Sequence, residues 1–257
     1  MFGVLFDKVQ DGDELYGCWL LSGVGWTIAL AVTGWVIAFL VGVLVGCGRT
    51  STHRPVAIAS QIYVEVFRNI PVIVQMFLWY FVLPEVLPAS WGAAYKKIPP
   101  PWGSFVPALI GLSLYTAARV AEQVRAGIES LPQGQRAAAQ ALAMDEFRVY
   151  RLVLLPQALR IIMPTLTSEV MGIFKNTSVA LTIGLLELTA QARQINEFTF
   201  KTFQAFGAAT LVYLVLALVV YGLMHRLEQR YRTPGMEPAA KVLALAVAPA
   251  ATEAGRG

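Results

Sequence analysis

A long stretch without charge near the start of the chain limits the possible folds more than any other feature. Residues 15–48 contain no Asp, Glu, Lys or Arg. An α-helix crosses a hydrocarbon core of about 30 Å with roughly 20 apolar residues, so this stretch can span a bilayer with residues to spare. The whole chain is 56% apolar and only 14% charged, which is typical of a protein surrounded mainly by lipid. The sequence therefore predicts an all-α membrane protein.

Four further segments have the length and composition of membrane spans. They are residues 56–83, 105–126, 152–185 and 202–225. Together with the first stretch they predict about five transmembrane helices. Pro71 is expected to kink the second span, because proline lacks a backbone N–H and clashes with the preceding turn. The connection 84–104 is rich in Pro and Trp and is expected to form an ordered interfacial loop.

The connecting segments predict the orientation. Nine of their Lys and Arg residues fall on the side of residues 134–156, against five on the other side. Because cytoplasmic loops are enriched in Lys and Arg, this segment and the C-terminus are predicted to be cytoplasmic. The chain then divides into an extracytoplasmic segment 1–14, a membrane domain 15–232 with a cytoplasmic loop at about 134–150, and a disordered cytoplasmic tail 233–257. The acidic first residues do not resemble a signal peptide, so the first helix is expected to be retained.

Several function classes lack their characteristic residues. Cys18 and Cys47 lie near opposite ends of one predicted helix, too far apart for a disulfide. His53 and His225 stand beside arginines at span ends, which favours flanking residues over metal ligands. The sequence offers no nucleophile–base pair for an enzyme, no basic stripe for nucleic acid and no Walker A run for ATP hydrolysis, so no cofactor is expected on this chain. An ion-driven secondary transporter is disfavoured because no convincing internal repeat occurs.

The segment 134–156 is longer than a simple turn between two spans requires. It is rich in alanine, which favours a helix, and Leu142, Met144 and Phe147 add apolar side chains. A short helix of this kind can dock in a groove on a partner protein. It can equally lie as an amphipathic turn on the membrane surface. The residue types alone leave both interpretations open.

The spacing within this segment resembles the signature loop of binding-protein-dependent ABC importer permeases. The family pattern is Glu-Ala-Ala, three residues, Gly, nine residues, a branched aliphatic residue, one residue and Leu-Pro. The same register here runs through residues 137–139, Ala143, Val153 and residues 155–156. Ala137 stands in place of the usual Glu, and Ala143 in place of the usual Gly.

Three more stretches resemble the polar amino acid subfamily of these permeases. They are Phe-Arg-Asn-Ile-Pro-Val-Ile-Val-Gln at 67–75, the run 122–135 and Lys-Asn-Thr-Ser at 175–178. The run Tyr-Thr-Ala-Ala-Arg-Val-Ala-Glu-Gln-Val-Arg at 115–125, and Ala-Leu-Thr-Ile-Gly-Leu at 180–185 followed by Gln-Ala-Arg at 191–193, most resemble permeases of glutamate/aspartate importers. The resemblance implies the type I ABC importer permease fold, with five spanning helices and a cytoplasmic coupling helix, in a bacterial inner membrane. It implies an importer of acidic amino acids, with another polar or basic amino acid as the alternative substrate.

The resemblance also implies the partners of the chain. Two cytoplasmic ATPase subunits would bind ATP and Mg²⁺ and supply the energy. A second permease, identical or a sister subunit, would complete the membrane part, surrounded by lipid. An extracytoplasmic amino acid binding protein would deliver the substrate. The chain itself would be a transporter subunit and not an enzyme.

The contacts with the ATPase are expected in the coupling helix. The residues that the resemblance assigns to it are Arg136, Ala137, Ala138, Ala139, Gln140, Leu142, Ala143 and Met144. Ala138, Ala139 and Leu142 are expected to face the ATPase. Arg136 or Gln140 is expected to supply the polar contact that the usual Glu would make.

Charged residues within the predicted spans are candidate substrate contacts, because they are costly in lipid. Arg119 can fork onto a substrate carboxylate, or it can neutralise Glu122 one helical turn away. Glu169 and Lys175 are candidates in a second patch, which also includes residues 176–178. Glu169 can meet the substrate ammonium, or pair with Lys175 or Arg160 across the dimer.

Four further polar residues are weaker candidates for contact with substrate. Asn176, Thr177 and Ser178 can bind a carboxylate or satisfy irregular backbone at a helix end. Gln75 can line the pathway or make a helix–helix hydrogen bond. Two ion pairs, Glu65 with Arg68 and Glu122 with Arg125, are expected near the cytoplasmic end of their helices.

Overall fold

The computed structural model describes residues 3–9 and 14–231, and this part of the chain is almost entirely helical. A short 3₁₀ turn, Gly3–Phe6, comes before the first long helix. The helices are α1 (Tyr16–Arg49), α2 (Arg54–Asn69), α3 (Val72–Val86), α4 (Ala89–Lys96), α5 (Trp102–Glu129), α6 (Gln133–Ala141), α7 (Glu146–Ile183), α8 (Leu188–Thr199) and α9 (Thr202–Tyr231). The tail predicted to be disordered, 233–257, lies outside the described residues.

Four of these helices are long and apolar enough to cross a membrane, namely α1, α5, α7 and α9. The pair α2 and α3 also qualifies, with a bend of 102° between its two parts. Counted as one broken span, this pair brings the described residues to five spans, which agrees with the number predicted. The segment 84–104, predicted to be a loop, contains the additional helix α4.

The bend between α2 and α3 is the predicted kink at Pro71, and it is sharper than a kinked but continuous helix would give. Ile70 has an extended backbone, with φ −86° and ψ 126°, as expected for a residue that precedes proline. The side-chain amide of Gln75 lies across the break. Its Nε2 donates to the carbonyl oxygens of Phe67 at 2.7 Å and Ile70 at 3.0 Å. Gln75 therefore satisfies backbone groups that the break leaves without a helical partner.

Helix α5 is the centre of the bundle and contacts α1, α2, α3 and α7. Two glycines of α1 allow its close approach to α5. A Cβ added at Gly42 would lie 2.7 Å from the Cβ of Val120, and one added at Gly46 would lie 2.6 Å from the Cβ of Val124. Both valines are fully buried. The contact leaves no room for a side chain on this face of α1 and holds the two backbones together.

Helix α8 was not predicted from the sequence, and it packs between α1 and α9. Its first turn is capped by Glu187, which is fully buried. The carboxylate accepts from the backbone N–H groups of Thr189 at 3.0 Å and Ala190 at 2.8 Å, and from the hydroxyl of Tyr213 at 2.7 Å. Burial raises the pKa of the Glu187 carboxyl, and the three hydrogen bonds act against that rise. One side chain thus joins α8 to α9.

Candidate functional site

The segment that resembles the coupling loop folds as a short helix followed by a turn. Helix α6 follows Pro132, whose missing N–H suits the start of a helix. The chain then turns, and Asp145 caps the next helix, since its Oδ1 accepts from the backbone N–H of Arg148 at 2.8 Å. This cap fixes where α7 begins. The helix predicted in this segment is therefore present as α6, at one end of the bundle.

Ala143 lies in the turn with a left-handed backbone, φ 57°. Glycine adopts this conformation freely, whereas a residue with a Cβ pays roughly 1–2 kcal/mol. The position is the one where the family pattern has glycine. Ala143 thus has a backbone conformation that glycine favours, at the position where the family pattern has glycine.

Most of the surface expected to face a partner is exposed. Ala137, Ala138 and Gln140 are exposed, and Leu142 is 75% exposed, while Met144 is half-buried. Ala139 differs, being only 4% exposed. It packs in the cluster that contains Leu131, Val149 and Leu154. The expectation that Ala139 faces a partner is therefore wrong, because α6 turns this position towards the chain's own core.

Arg136 also has a different environment from the one expected. Its Nη2 donates to the hydroxyl of Tyr150 at 2.6 Å and lies 3.4 Å from the carbonyl oxygen of Thr50 and 3.5 Å from Glu146. The guanidinium carbon lies 5.1 Å from the centroid of the Tyr150 ring. Arg136 is thus held against the turn between α1 and α2. Of the two candidates for the polar contact, only Gln140 has a freely exposed side chain.

The turn between α1 and α2 makes further contacts with the start of α7. Thr50 Oγ1 lies 2.9 Å from the hydroxyl oxygen of Tyr150, and Thr52 Oγ1 donates to Glu146 at 3.0 Å. Sequence reasoning did not identify Thr50, Thr52 or Tyr150. No local pattern joins them, since about 100 residues separate Thr50 from Tyr150.

Ion pairs surround the same end of the bundle. The predicted pair of Glu122 with Arg125 is present, at 2.5 Å, and Arg49 also binds Glu122. The predicted pair of Glu65 with Arg68 is wrong. Glu65 instead accepts from the amide of Gln61 at 2.7 Å, one helical turn earlier on α2.

A second cluster of charges lies within the spanning part of the bundle. Arg119 on α5 binds Glu169 on α7 through two nitrogens, with Nε at 2.7 Å from Oε2 and Nη2 at 2.9 Å from Oε1. Gln123 Nε2 donates to Glu169 Oε1 at 2.8 Å. Within this chain Arg119 pairs with Glu169 and not with Glu122. Helical spacing made Glu122 a possible partner of Arg119. The packing of α5 on α7 instead places Glu169 where Arg119 binds it through two hydrogen bonds.

The two members of this pair differ in their access to the outside of the bundle. The Glu169 side chain is 8% exposed, whereas the Arg119 side chain is 44% exposed and lies 5.9 Å from the centroid of the Tyr115 ring. Gln123 was missed by the sequence analysis. Its position four residues after Arg119, and therefore on the same face of α5, is the signal that could have identified it.

The run 175–178 lies apart from this cluster. Lys175 and Ser178 line a cavity of about 450 Å³ between α7 and α9, together with Phe174, Thr189 and Tyr213. Among residues 3–9 and 14–231, Lys175 has no ion-pair partner. The hydroxyl of Thr177 donates to the carbonyl of Phe174 at 2.7 Å and that of Ser178 to the carbonyl of Lys175 at 2.8 Å. These hydroxyls satisfy backbone where the helix tightens, and Asn176 beside them is half-buried.

Comparison with known proteins decides the family. Residues 38–233 match the model of the binding-protein-dependent transport system inner membrane component. The chain belongs to this family. The permease is therefore a multi-pass membrane subunit of an ABC importer and not an enzyme, as the sequence predicted.

Individual relatives agree with this assignment. The permease is 42% identical over 235 residues to the glutamate/aspartate import permease protein GltJ of Escherichia coli K12, covering 91% of this chain and 96% of that protein. It is 36% identical over 234 residues to the nopaline transport system permease protein NocM of Agrobacterium fabrum, covering 86% and 93%. The crystal structure of an amino acid ABC transporter with histidines matches with a TM-score of 0.70 and 30% identity, covering 84% of this chain and 95% of that one.

Among residues 3–9 and 14–231, no group of three or more His, Cys, Asp or Glu side chains could hold a metal ion. The candidate contacts described above lie mainly in two regions, the surface of α6 with its turn and the pair of Arg119 with Glu169.

Proposed function

We propose that this permease carries acidic amino acids, glutamate or aspartate, into the cell as part of an ATP-driven importer. The observation that carries the proposal is the bidentate binding of a carboxylate by Arg119 inside the bundle. A guanidinium is shaped to hold a carboxylate through two parallel hydrogen bonds. The 42% identity to a glutamate/aspartate import permease supports the same substrate class.

The charges of the candidate residues complement those of the substrate. Glutamate and aspartate each carry two carboxylates and one ammonium group. The permease offers two cations, Arg119 and Lys175, and one anion, Glu169. Lys175 lies about 9 Å beyond Glu169 along the axis of α7. The two cations can therefore act as successive positions for a carboxylate as the substrate crosses the membrane.

The excess of Lys and Arg at the α6 end supports a cytoplasmic location for α6 and the C-terminus. We expect two ATPase subunits, which bind ATP and Mg²⁺, to dock on the exposed residues of α6 and its turn. Ala137, Ala138, Gln140 and Leu142 form this coupling surface. A second permease would complete the membrane part, and an extracytoplasmic binding protein would deliver substrate at the opposite end.

Import of a different polar or basic amino acid is the alternative. The 36% identity to a nopaline transport permease favours a broader substrate range in relatives of this chain. The buried carboxylate of Glu169 would bind a cationic side chain if Arg119 turned away from it. The two possibilities depend on different residues. An acidic substrate needs Arg119, and a basic substrate needs Glu169.

The experiment is uptake of radiolabelled glutamate, aspartate and arginine into proteoliposomes that contain the complete importer. We expect uptake of the acidic amino acids together with ATPase activity that they stimulate. Among the complexes that still assemble, Arg119→Tyr should reduce this uptake at least tenfold, because a charge-assisted contact to a carboxylate is removed. Arg226→Tyr is the matched control, since Arg226 is exposed at the α6 end of α9. Uptake of arginine alone by the wild type would overturn the proposal.

A further inference from the structure

We infer that Glu169 acts as a tethered substitute for the substrate, occupying Arg119 until a substrate carboxylate takes its place. This inference rests on the proposed function. The group that Arg119 binds in this structure is a glutamate side chain, chemically the same as the side chain of the proposed substrate. Exchange of one carboxylate for the other leaves the number and the type of hydrogen bonds at Arg119 unchanged.

The exposure of the pair allows such an exchange. Glu169 is 8% exposed, while Arg119 is 44% exposed. An incoming carboxylate can thus approach the exposed part of the guanidinium while Glu169 still binds the other part. The exchange then needs no intermediate in which Arg119 is left without an anion, which would be costly in the membrane.

The displaced carboxylate determines which substrates can complete the exchange. Once Arg119 has turned to the substrate, Glu169 keeps Gln123 as a donor, at 2.8 Å in the present structure. A buried carboxylate with one neutral donor is poorly compensated. The ammonium group of an amino acid supplies the missing positive charge. Glu169 therefore selects compounds that carry both a side-chain carboxylate and an amine.

Gln123 supports this arrangement as a positioning residue. Its Nε2 holds Glu169, while its Oε1 is buried without a hydrogen-bond partner. A buried acceptor without a donor is unfavourable, and an ammonium group bound beside Glu169 can donate to it. The same ligand group would then compensate both Glu169 and Gln123.

The test compares glutamate with glutarate, which has the same two carboxylates and no amine. Radiolabelled glutamate is bound to the purified importer complex in detergent without the binding protein, and glutarate competes for it. In the wild type, glutarate should compete at least tenfold less well than glutamate. In Glu169→Gln the neutral amide needs no ammonium, so the ratio of the two inhibitory concentrations should fall at least tenfold. Glu129→Gln, at an exposed position on α5, should leave the ratio unchanged.

A charge-swapped variant distinguishes exchange from a purely structural ion pair. Arg119→Glu combined with Glu169→Arg keeps an ion pair between α5 and α7 and should assemble like the wild type. It moves the guanidinium to the buried position, so glutamate binding should be lost. Full glutamate binding by the swapped variant would overturn the inference, as would an unchanged glutarate ratio in Glu169→Gln. If the wild-type importer neither binds nor transports an acidic amino acid, the proposed function fails as well, and the inference with it.

Discussion

The guanidinium of Arg136 lies over the ring of Tyr150, and its Nη2 donates to the Tyr150 hydroxyl at 2.6 Å. The same hydroxyl lies 2.9 Å from Thr50 Oγ1. One aromatic side chain at the start of α7 thus joins α6 to the turn between α1 and α2. A displacement of α6 would be transmitted through this contact to α7 and to the turn between α1 and α2.

Tyr150→Phe keeps the ring and removes the hydroxyl that Arg136 and Thr50 share. We expect the variant to lose roughly 0.5–1.5 kcal/mol of stability, because the half-buried side chains of Arg136 and Thr50 lose a hydrogen-bond partner. The measurement is thermal unfolding of the purified permease in detergent. In the complete importer we also expect more ATP hydrolysed for each substrate transported. Tyr231→Phe, at an exposed position, is the control, and equal stability of the two variants would contradict the role given to this hydroxyl.

Ala143→Gly is expected to stabilise the permease by about 1 kcal/mol, because glycine adopts the left-handed backbone without strain. Ala138→Gly should have the opposite effect and cost about 0.5–1 kcal/mol, since Ala138 lies inside a helix. The melting temperatures of the two variants should therefore move in opposite directions from the wild type. A decrease for Ala143→Gly would contradict the left-handed conformation at φ 57°.

Ala139→Asp and Ala138→Asp should fail for different reasons. Ala139 is 4% exposed, so an aspartate there places a charge in the core and should prevent stable folding. Ala138 is exposed, so Ala138→Asp should fold normally and lose binding to the ATPase subunits. Thermal unfolding and co-purification of the ATPase separate the two effects. A well-folded Ala139→Asp that does not bind the ATPase would return Ala139 to the coupling surface.

Glu187→Ala is expected to lower stability by about 1–3 kcal/mol, because the amides of Thr189 and Ala190 and the hydroxyl of Tyr213 lose their acceptor. Glu197→Ala is the control, since Glu197 is exposed on the same helix and pairs with Arg193. Thermal unfolding in detergent measures both variants.

The pH dependence of stability gives an independent check on Glu187. Burial raises the pKa of its carboxyl, so the folded state binds the proton more tightly than the unfolded state. This contribution to stability is present at acidic pH and decreases as the pH rises from the ordinary carboxyl range through the raised pKa. Glu187→Gln does not titrate and should show a flatter profile in that window. Identical profiles for the wild type and Glu187→Gln would contradict the raised pKa.

Much of the fold followed from local sequence properties. The span that became α1 was predicted as 15–48 and is observed as Tyr16–Arg49, and Pro71 marked the break between α2 and α3. Helix α8 was missed because it is short and amphipathic, and its stability depends on the cap by Glu187 and on packing against α1. The family register located α6 although its Glu and Gly are both replaced by alanine.

The candidate site was predictable as a set of residues but not as a set of contacts. Arg119 and Glu169 were both predicted as candidates, but the partner expected for Arg119 within the chain was Glu122, whereas Glu169 takes that place. Arg136 and Ala139 were assigned to an outer surface from their place in a motif, whereas both face the rest of the chain. A motif defines the order of residues along α6, but the side of α6 that faces inward depends on what it packs against.

The amino-acid sequence by itself determined which segments can enter the membrane and where the helix bends, since these depend on the composition of about 20 consecutive residues and on proline. Only the tertiary structure decided that Arg119 binds Glu169, from which it is separated by 50 residues. The physical reason is that pairing between helices depends on their mutual rotation and axial offset. Close contacts between helices, such as those of Gly42 and Gly46 with α5, fix the rotation and the offset. No local sequence pattern encodes either quantity.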